Sequence, residues 1–592
     1  MFFHASLYLS LIIFSIGLIY KVSTWFRYSF DEEIKRIGAF KRVSAALKGI
    51  LMTVFSPKIL LLIRVFILDV LIQGRLFKED FLRWFMHMCL FWGFMSLLIV
   101  HSLDKLITSK LFTNYSSTLN PFLFLRNLFF VLILLGLGIA VYRRFFMKVP
   151  RLFSHMRDHF AIAILSLIMI SGILLEGAKI VSYTKYQGMV EDYADTDESE
   201  ALKNLESYWV ENFGVVSPNV KGPFEATVLA NGRELNETNC AACHSRPNWA
   251  FVSYGVSKAI KPVAAGLDRA GLTDFLWYVH FLACFIGLAY LPFSKMFHIF
   301  TSPLSLLANS VMDKEISDPT NITTRQIMEL DACTHCGTCS LQCRVGICFE
   351  EIPNVNILPS EKLASVKALV AGKKLSDHEL SRIQEGLYLC TNCTNCTVVC
   401  PVGINLQDLW FNVREAMLQK GYPELLTLST LSFYRGLSRN GRGEQSYRKP
   451  IAIAKRALEE EFKLKDADNH TLNLTNIDTG FKKILGISNQ GNTFSYCFTC
   501  KTCTVSCPVV RNFENPPKRL GLVPHQIIHA ALLGVKDLIF SSDMLWLCLG
   551  CYQCQENCPQ GVKVTDILYE LKNMAMKHIK GGKTISIMRE KS

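Results

Sequence analysis

Four cysteine runs constrain this chain more than any other feature. The first is Cys333, Cys336, Cys339 and Cys343, and the second is Cys390, Cys393, Cys396 and Cys400, followed by Pro401. Further on come Cys497, Cys500, Cys503 and Cys507-Pro508, then Cys548, Cys551, Cys554 and Cys558-Pro559. Every run reads C-x2-C-x2-C-x3-C. Three thiolates so closely spaced wrap three corners of one iron–sulfur cube, and the fourth, turned away, ligates the other cluster of a pair. The spacing therefore predicts one [4Fe–4S] cluster on Cys333, Cys336, Cys339 and Cys400, and a second on Cys390, Cys393, Cys396 and Cys343. By the same crossing, Cys558 joins Cys497, Cys500 and Cys503, and Cys507 joins Cys548, Cys551 and Cys554. Structural zinc also uses C-x2-C pairs, but four ligands suffice for it and the third step in every run would have no purpose.

These runs use sixteen of the 21 cysteines. In an oxidising compartment so many cysteines would suggest disulfides; cluster spacing instead predicts a reducing, cytoplasmic side for these domains. The chain is 50% hydrophobic and 19% charged over 592 residues, which suits a protein part membrane and part soluble. A formal charge of +13 would fit nucleic acid or anionic lipid. Its distribution favours orientation in a lipid bilayer, and no nucleic-acid partner is expected.

Five apolar stretches reach the length of about 20 residues that a helix needs to cross hydrocarbon: 2–20, 81–103, 121–142, 160–180 and 272–300. The first lacks the basic start and small-residue cleavage site of a signal peptide, so a retained helix is expected. Between the first two, residues 21–80 carry eleven Lys and Arg. Within them Ile59 to Ile72 is interrupted by Arg64 and Asp69 and reads as an amphipathic helix at the cytoplasmic interface. The loop 143–157 holds five basic residues against two in 104–120. By the positive-inside rule the N-terminus and residues 181–271 are then outside, and everything after residue 300 is inside.

Residues 181–271 contain Cys240-Ala-Ala-Cys243-His244. C-x2-C-H is the attachment signature of c-type haem, with two thiols on the vinyl groups and the histidine on iron. A chance pair or a redox disulfide is the plainer alternative. Met189, the segment's only methionine, is the candidate sixth ligand.

Histidine is costly in hydrocarbon and usually functional there. His87 and His101 fall on the second stretch, 14 residues apart, and His280 and His298 on the fifth, 18 apart. These separations are close to four and five helical turns, so each pair is expected on one face, near opposite ends. Antiparallel helices would bring His101 to His280 at the outer surface and His87 to His298 at the inner one, giving two b haems. His155 and His159 are alternative inner ligands. Glu176 and Lys179 stand near the outer end of the fourth stretch. Pairing with each other or snorkelling explains them simply; the functional alternative makes Glu176 the proton acceptor of a quinone site, for menaquinone or another quinone.

Residues 1–300 resemble the cytochrome b subunits of respiratory nitrate reductase, methanogen heterodisulfide reductase and the sulfite-reduction membrane complex. That resemblance implies five spans, two b haems and ligands from the second and fifth spans, the latter with the H-x17-H spacing of His280 and His298. The c-haem segment is an insertion between the fourth and fifth spans. Residues 325–425 resemble the iron–sulfur part of the heterodisulfide reductase D subunit. Residues 490–580 resemble its C subunit, including Trp546-Leu-Cys548 and Cys558-Pro-Gln-Gly-Val.

The expected fold is mostly α: a five-helix transmembrane cytochrome b bundle plus two α-helical dicluster ferredoxin domains. The domains are 1–180 (four spans with the amphipathic segment), 181–271, 272–300, 325–425, a linker 426–489 and 490–580. Helices are expected over Leu406 to Leu418 and Val564 to Met576, with another over Pro450 to Lys465 in the linker. The chain has no Cys-Cys dipeptide, G-x-G-x-x-G fingerprint or P-loop, and Cys89, Cys284 and Cys348 are read as small hydrophobes. A quinone-linked electron-transfer subunit is therefore expected, with its catalytic subunit, of flavin or cysteine-rich type, on a separate cytoplasmic chain. C-type cytochromes outside are further partners. A self-contained heterodisulfide or thiol-disulfide reductase is the alternative, disfavoured because no cysteine set remains beyond the clusters and the haem pair. A redox sensor has no use for so many centres.

Overall fold

The computed structural model describes residues 2–419 and 478–581, apart from positions 31, 114, 148–150, 152, 154, 314, 315 and 351, together with residue 585. The expected linker up to residue 477, with its helix over Pro450 to Lys465, lies outside the described residues. Among those described, every regular element is helical. Internal packing divides the chain into one unit of Met1–Lys21, Leu71–Val149 and Ser154–Phe297, and another of Val22–Val70, Pro150–Phe153 and His298–Ser592.

Among the described residues, five helices are long and apolar enough to cross a membrane: Phe2–Arg27, Phe81–Ser102, Phe122–Phe146, Met156–Val181 and Leu272–Phe293. They are called the first to fifth spans below. In the bundle unit, small residues let helix backbones approach. A Cβ on Gly93 would stand 2.8 Å from Ile133 Cγ1, and one on Gly136 would stand 2.7 Å from Leu90 Cγ, so the second and third spans interlock. The first span leans on the fifth, where Ser10 Oγ donates to the Phe285 carbonyl at 2.8 Å and the Phe3 ring stacks on Trp277 at 5.6 Å.

Two expectations about helical register change. The fifth span stops short of residue 300. Pro292 has no amide to donate and its ring obstructs the preceding turn, so the chain passes through tight turns at Leu291–Phe293 and Lys295–Phe297. His298 then opens a separate helix, His298–Val311. His280 and His298 are thus not on one helix, and the five-turn argument for their common face fails. In the second span the α-helix Phe81–Leu97 gives way to a π-helical turn, Leu98–Ser102, that contains His101. The wider turn rotates His101 away from the face that a strict α-helix would give it.

The segment 181–271 folds as five helices, of which Ser199–Asn212 and Ala226–Asn239 form a close pair. Gly232 is required at their crossing, since a Cβ there would meet the Asn204 carbonyl oxygen at 2.1 Å. The helix Phe251–Ile260 lies against the fourth span at Gly177, where a Cβ would come within 2.7 Å of Val256.

The basic segment forms Ala39–Val54 and Lys58–Val65, the latter running on through a π-helical turn, Phe66–Leu71, and Ala39–Val54 and Lys58–Leu71 are bent by 94°. Its polar side is pinned to the helix Pro319–Ala332. Arg42, fully buried, donates to the Trp25 carbonyl at 2.9 Å and to Thr324 Oγ1 at 3.2 Å. Its other side leaves Leu47, Ile50, Leu51, Leu60 and Ile63 exposed, and the bent pair is together apolar enough for a broken span or a re-entrant loop as well as for the expected interfacial helix. The expected helices after the second and fourth cysteine runs are Leu406–Gln419 and Val564–Lys580. Phe481 and Leu485 belong to the core that also holds Cys503 and Cys507, so this domain begins ahead of residue 490.

Candidate functional site

The cysteine runs have a backbone conformation of their own. In each, the residue before the second cysteine and the residue after it have positive φ: His335 and Gly337, Asn392 and Thr394, Thr499 and Lys501, Gly550 and Tyr552. Six of these eight are not glycine, although each left-handed residue with a side chain costs about 1–2 kcal/mol. Strain of this kind persists where it is functional. Here it curls the chain so that successive cysteines converge on one point. A short helical turn follows in every case, at Thr338–Leu341, Asn395–Val398, Thr502–Val505 and Gln553–Glu556.

Two of the sites are recesses. One, of about 430 Å³, is lined by Cys390, Cys393, Cys396 and the crossing Cys343. The other, of about 350 Å³, is lined by Cys497, Cys500, Cys503 and the crossing Cys558. The remaining sets are also brought together. Cys400 lies among Cys333, Cys336 and Cys339, and Cys507 among Cys548, Cys551 and Cys554. Burial and then neighbouring thiols push Cys343 up to about 11 and Cys396 up to about 12. Four buried thiolates cannot ionise side by side without a cationic centre among them. The donor set therefore fits an iron–sulfur cube.

Sequence reasoning missed two cations here. Lys362, on the helix Pro359–Val370, lines the Cys343–Cys390–Cys393–Cys396 recess and donates to the Gly386 carbonyl at 2.7 Å. Arg414, on Leu406–Gln419, donates to the carbonyl of Cys390 and to Asn392 Oδ1, both at 2.9 Å. Both are buried. Nothing in their sequence context marked them, since Lys362 follows Glu361 and Arg414 precedes Glu415.

The second and third cysteine sites adjoin. Buried Cys348 packs with Cys343 and Cys500 in one apolar cluster, its Sγ 3.6 Å from the Cys500 carbonyl oxygen. Gln560, in the wall of the Cys497 recess, donates to the Thr391 carbonyl beside Cys390 at 2.7 Å.

In the bundle unit, the rings of His101 and His280 face each other with centroids 6.3 Å apart and planes at 42°. Two metal–imidazole bonds of about 2 Å each fit between them, with the remainder taken by the ring half-widths. Gly172 makes room for His280, because a Cβ there would lie 2.9 Å from Cε1. His280 Nδ1 stands 3.1 Å from the Ile168 carbonyl and 3.1 Å from Ser171 Oγ. Donation to the carbonyl fixes the proton on Nδ1 and leaves Nε2 as the ligating nitrogen, the usual arrangement behind a metal-bound histidine. These residues fit a bis-histidine haem. His87 Nδ1 similarly meets Gln73 Oε1 at 2.7 Å. His298 lies beyond the break in the fifth span. His155 sits at the N-terminal cap of the fourth span, and the ring of His159 lies 5.6 Å from that of Phe145.

The Cys240–His244 motif caps the C-terminus of the helix Ala226–Asn239. Cys240 is buried and Cys243 exposed. Burial, with Cys243 adding to it, pushes the Cys240 thiol up, and burial pushes the His244 imidazole down, keeping it neutral as a ligand must be. Trp209 meets the His244 ring edge-on at 5.8 Å, and Met189 packs against the cluster that contains Cys240 and Trp209. The motif is tied to the loop after the His101 turn. Ser116 Oγ and Thr118 Oγ1 donate to the Cys243 carbonyl at 3.1 and 2.6 Å, and Ser245 N donates to the Thr118 carbonyl at 3.1 Å. Tyr115, in the same loop, donates to the carbonyl of Val100.

Glu176 has partners that sequence neighbours did not suggest. Arg126 reaches it at 3.3 Å and Asn127 Nδ2 at 3.1 Å, and Ser253 Oγ donates to it. Asn127 Oδ1 in turn accepts from the amides of Val252 and Ser253 at 3.1 and 3.2 Å, capping the helix Phe251–Ile260.

Comparison with known proteins gives this geometry a class. Residues 328–404 and 493–562 match the family model described as 4Fe-4S dicluster domain. Similar proteins include the C subunit of the H(2):CoB-CoM heterodisulfide,ferredoxin reductase of Methanothermobacter thermautotrophicus, 42% identical over 102 residues, or 17% of this chain and 51% of that one. The C subunit of the ferredoxin:CoB-CoM heterodisulfide reductase of Methanosarcina mazei is 42% identical over 81 residues, 14% of this chain and 45% of its own. The D subunit of the dihydromethanophenazine:CoB–CoM heterodisulfide reductase of Methanosarcina acetivorans is 31% identical over 115 residues, 18% of this chain and 28% of its own. The chain thus spans about half the length of the C-type relatives it matches, and less of the D-type one. No solved structure matches it. The chain carries two 4Fe–4S dicluster domains, a type of domain that implies a part in electron transfer.

Proposed function

We propose that the chain is the membrane-bound electron-transfer subunit of a larger oxidoreductase. It links a quinone pool, through two b haems, to a c-type haem outside the membrane and to a series of four [4Fe–4S] clusters on the cytoplasmic side. The observation that carries the membrane half of this reading is the meeting of His101 and His280 at 6.3 Å within a bundle of apolar helices. When bound, the haems and clusters supply one-electron carriers, and the protein's part is to hold, orient and tune them.

The cluster ligands are the sixteen cysteines in their crossed sets. His101 and His280 hold the outer b haem, with Ile168 fixing the tautomer of His280. The second b haem rests on the sequence reading of His87 and His298. Cys240, Cys243 and His244 hold the c haem, with Met189 as sixth ligand. The hydrogen bonds from Ser116 and Thr118 to Cys243 support placing it close to the outer b haem, because their loop follows the His101 turn. The adjoining walls around Cys348 support a series in which the second cluster hands on to the third. The catalytic partner is a separate cytoplasmic protein of the flavin or cysteine-rich type, and the similarity to the C and D subunits of heterodisulfide reductases supports that choice.

The test is cofactor content of the full chain purified in native detergent, with pyridine haemochrome analysis and a redox titration. One covalent haem, two extractable b haems and about sixteen non-haem irons are expected. Zinc in place of that iron, or the absence of covalent haem, refutes the corresponding half. Turnover of a disulfide by the chain alone would favour a self-contained reductase instead.

A further inference from the structure

The recess of Cys343, Cys390, Cys393 and Cys396 has two fully buried cations against it. Lys362 in its wall is 1% exposed, with Nζ 4.7 Å from the Trp410 ring centroid. Arg414 is 0% exposed and holds both the Cys390 carbonyl and the side chain of Asn392, the left-handed residue that turns the motif. Around Cys339 and Cys400, by contrast, the dominant charged neighbours are other cysteines. The histidine inside that first run, His335, faces a carboxylate, Glu361, at 3.8 Å. The Cys497 recess includes Lys501, and at the fourth set Lys572 donates to the Cys548 carbonyl at 3.2 Å, but both side chains are partly exposed and so partly screened.

We infer that Lys362 and Arg414 make the cluster held by Cys343, Cys390, Cys393 and Cys396 the most easily reduced of the four. The inference rests on the ligand assignment proposed above. One electron leaves an adjacent reduced cluster, which is oxidised, and enters this one, which is reduced; no bond or proton moves. The reduced cube with its thiolates is more negative by one charge, and fixed positive charge in a low-dielectric wall favours that form. Arginine cannot lose its proton; burial pulls the Lys362 ammonium below its usual range, and the thiolates of Cys390 and Cys343 counter this only in part. Lys362 and Arg414 are therefore positioning residues that set a potential, and the first electron to arrive comes to rest between the first and third clusters.

The experiment is an EPR-monitored redox titration of the full chain in detergent, with iron counted on the same samples. In the wild type, the first reduced-cluster signal to appear should be the one missing from Cys393→Ala. Lys362→Met should lower the reduced-to-oxidised ratio of that signal at least tenfold at the wild-type midpoint, about 59 mV for a one-electron couple, and Lys362→Arg should restore it. A first signal that survives Cys393→Ala, or an unmoved midpoint in Lys362→Met with iron intact, overturns the inference while leaving the ligand assignment standing. Wild-type protein without about sixteen irons overturns the assignment itself. If Lys362→Met loses its cluster, the order of reduction in the wild type still decides.

Discussion

Cys390, Cys393 and Cys396 fall within seven residues, whereas His101 and His280 are 179 apart. The cysteines converge because Asn392 and Thr394 are held at φ 58° and 61°, a strain contained in the motif itself. The histidines converge because a π-helical turn re-aims one of them and a glycine notch admits the other. One site is therefore made by its own backbone and the other by helix packing. Damage to a cysteine site should stay local, while the histidine site should respond to changes in residues that never touch a metal.

The largest effect expected tests how local a cysteine site is. Cys343→Ala should lose about four of about sixteen irons, and the lost EPR signal should be the one that also disappears in Cys393→Ala. The crossing brings Cys343 to the second run, so its sequence neighbours Cys336 and Cys339 should keep their cluster. Loss of the signal belonging to Cys336 instead would mean that the ligands do not cross.

Next in size is the histidine site. His280→Ala should remove one of the two proposed b haems and leave the proposed covalent haem, while His244→Ala should remove only the covalent haem. Retention of both b haems in His280→Ala breaks the pairing with His101. The same spectra on His87→Ala, His298→Ala and His159→Ala test the proposed second b haem.

The same contrast explains what could be read from the chain. The gathering of sixteen cysteines into four sets, crossing included, was legible because it follows from spacing of a few residues. The five spans were legible from apolar length, and their ends moved by seven residues or fewer. The end of the fifth span was misread because hydropathy runs on through Pro292 while the backbone cannot. The common face of His87 and His101 was overstated because a π turn leaves no mark in hydropathy. Lys362 and Arg414 were invisible because each lies far in sequence from part of the recess that it serves. Asn127 and Ser253, which engage Glu176, are likewise separated by 126 residues.

A smaller and purely packing-based effect follows from the notch. Gly172→Ala puts a Cβ 2.9 Å from His280 Cε1. Overpacking of this kind costs about 1–3 kcal/mol, so the variant should keep its b haem with a shifted spectrum and a lower melting temperature. Gly138→Ala, with nothing within 4 Å, is the control and should leave both unchanged. A normal spectrum in Gly172→Ala would show that the ring has room to move, and would weaken the claim that packing makes the site.

The smallest effect concerns Glu176, where both kinds of construction meet. Its carboxylate takes Arg126 at 3.3 Å, Asn127 at 3.1 Å and the Ser253 hydroxyl. As a docking pin it holds the helix Phe251–Ile260 to the bundle; as the proton acceptor of a quinone site it would act beside the outer b haem. The two roles separate in Glu176→Gln. The amide keeps an oxygen for Asn127 and Ser253 but removes the charge from Arg126, so docking is largely preserved and proton acceptance is lost. Haem spectra should stay intact while quinol-driven reduction of haem b slows, by less than the roughly hundredfold lower limit usual for general acid–base groups, because Arg126 at 3.3 Å competes for the same carboxylate. Stopped-flow reduction of the assembled variant checks this. If the rate is unchanged and only the melting temperature falls, Glu176 is a pin alone, and the proton acceptor is to be sought at the proposed inner haem, on the side of His87 and its partner Gln73.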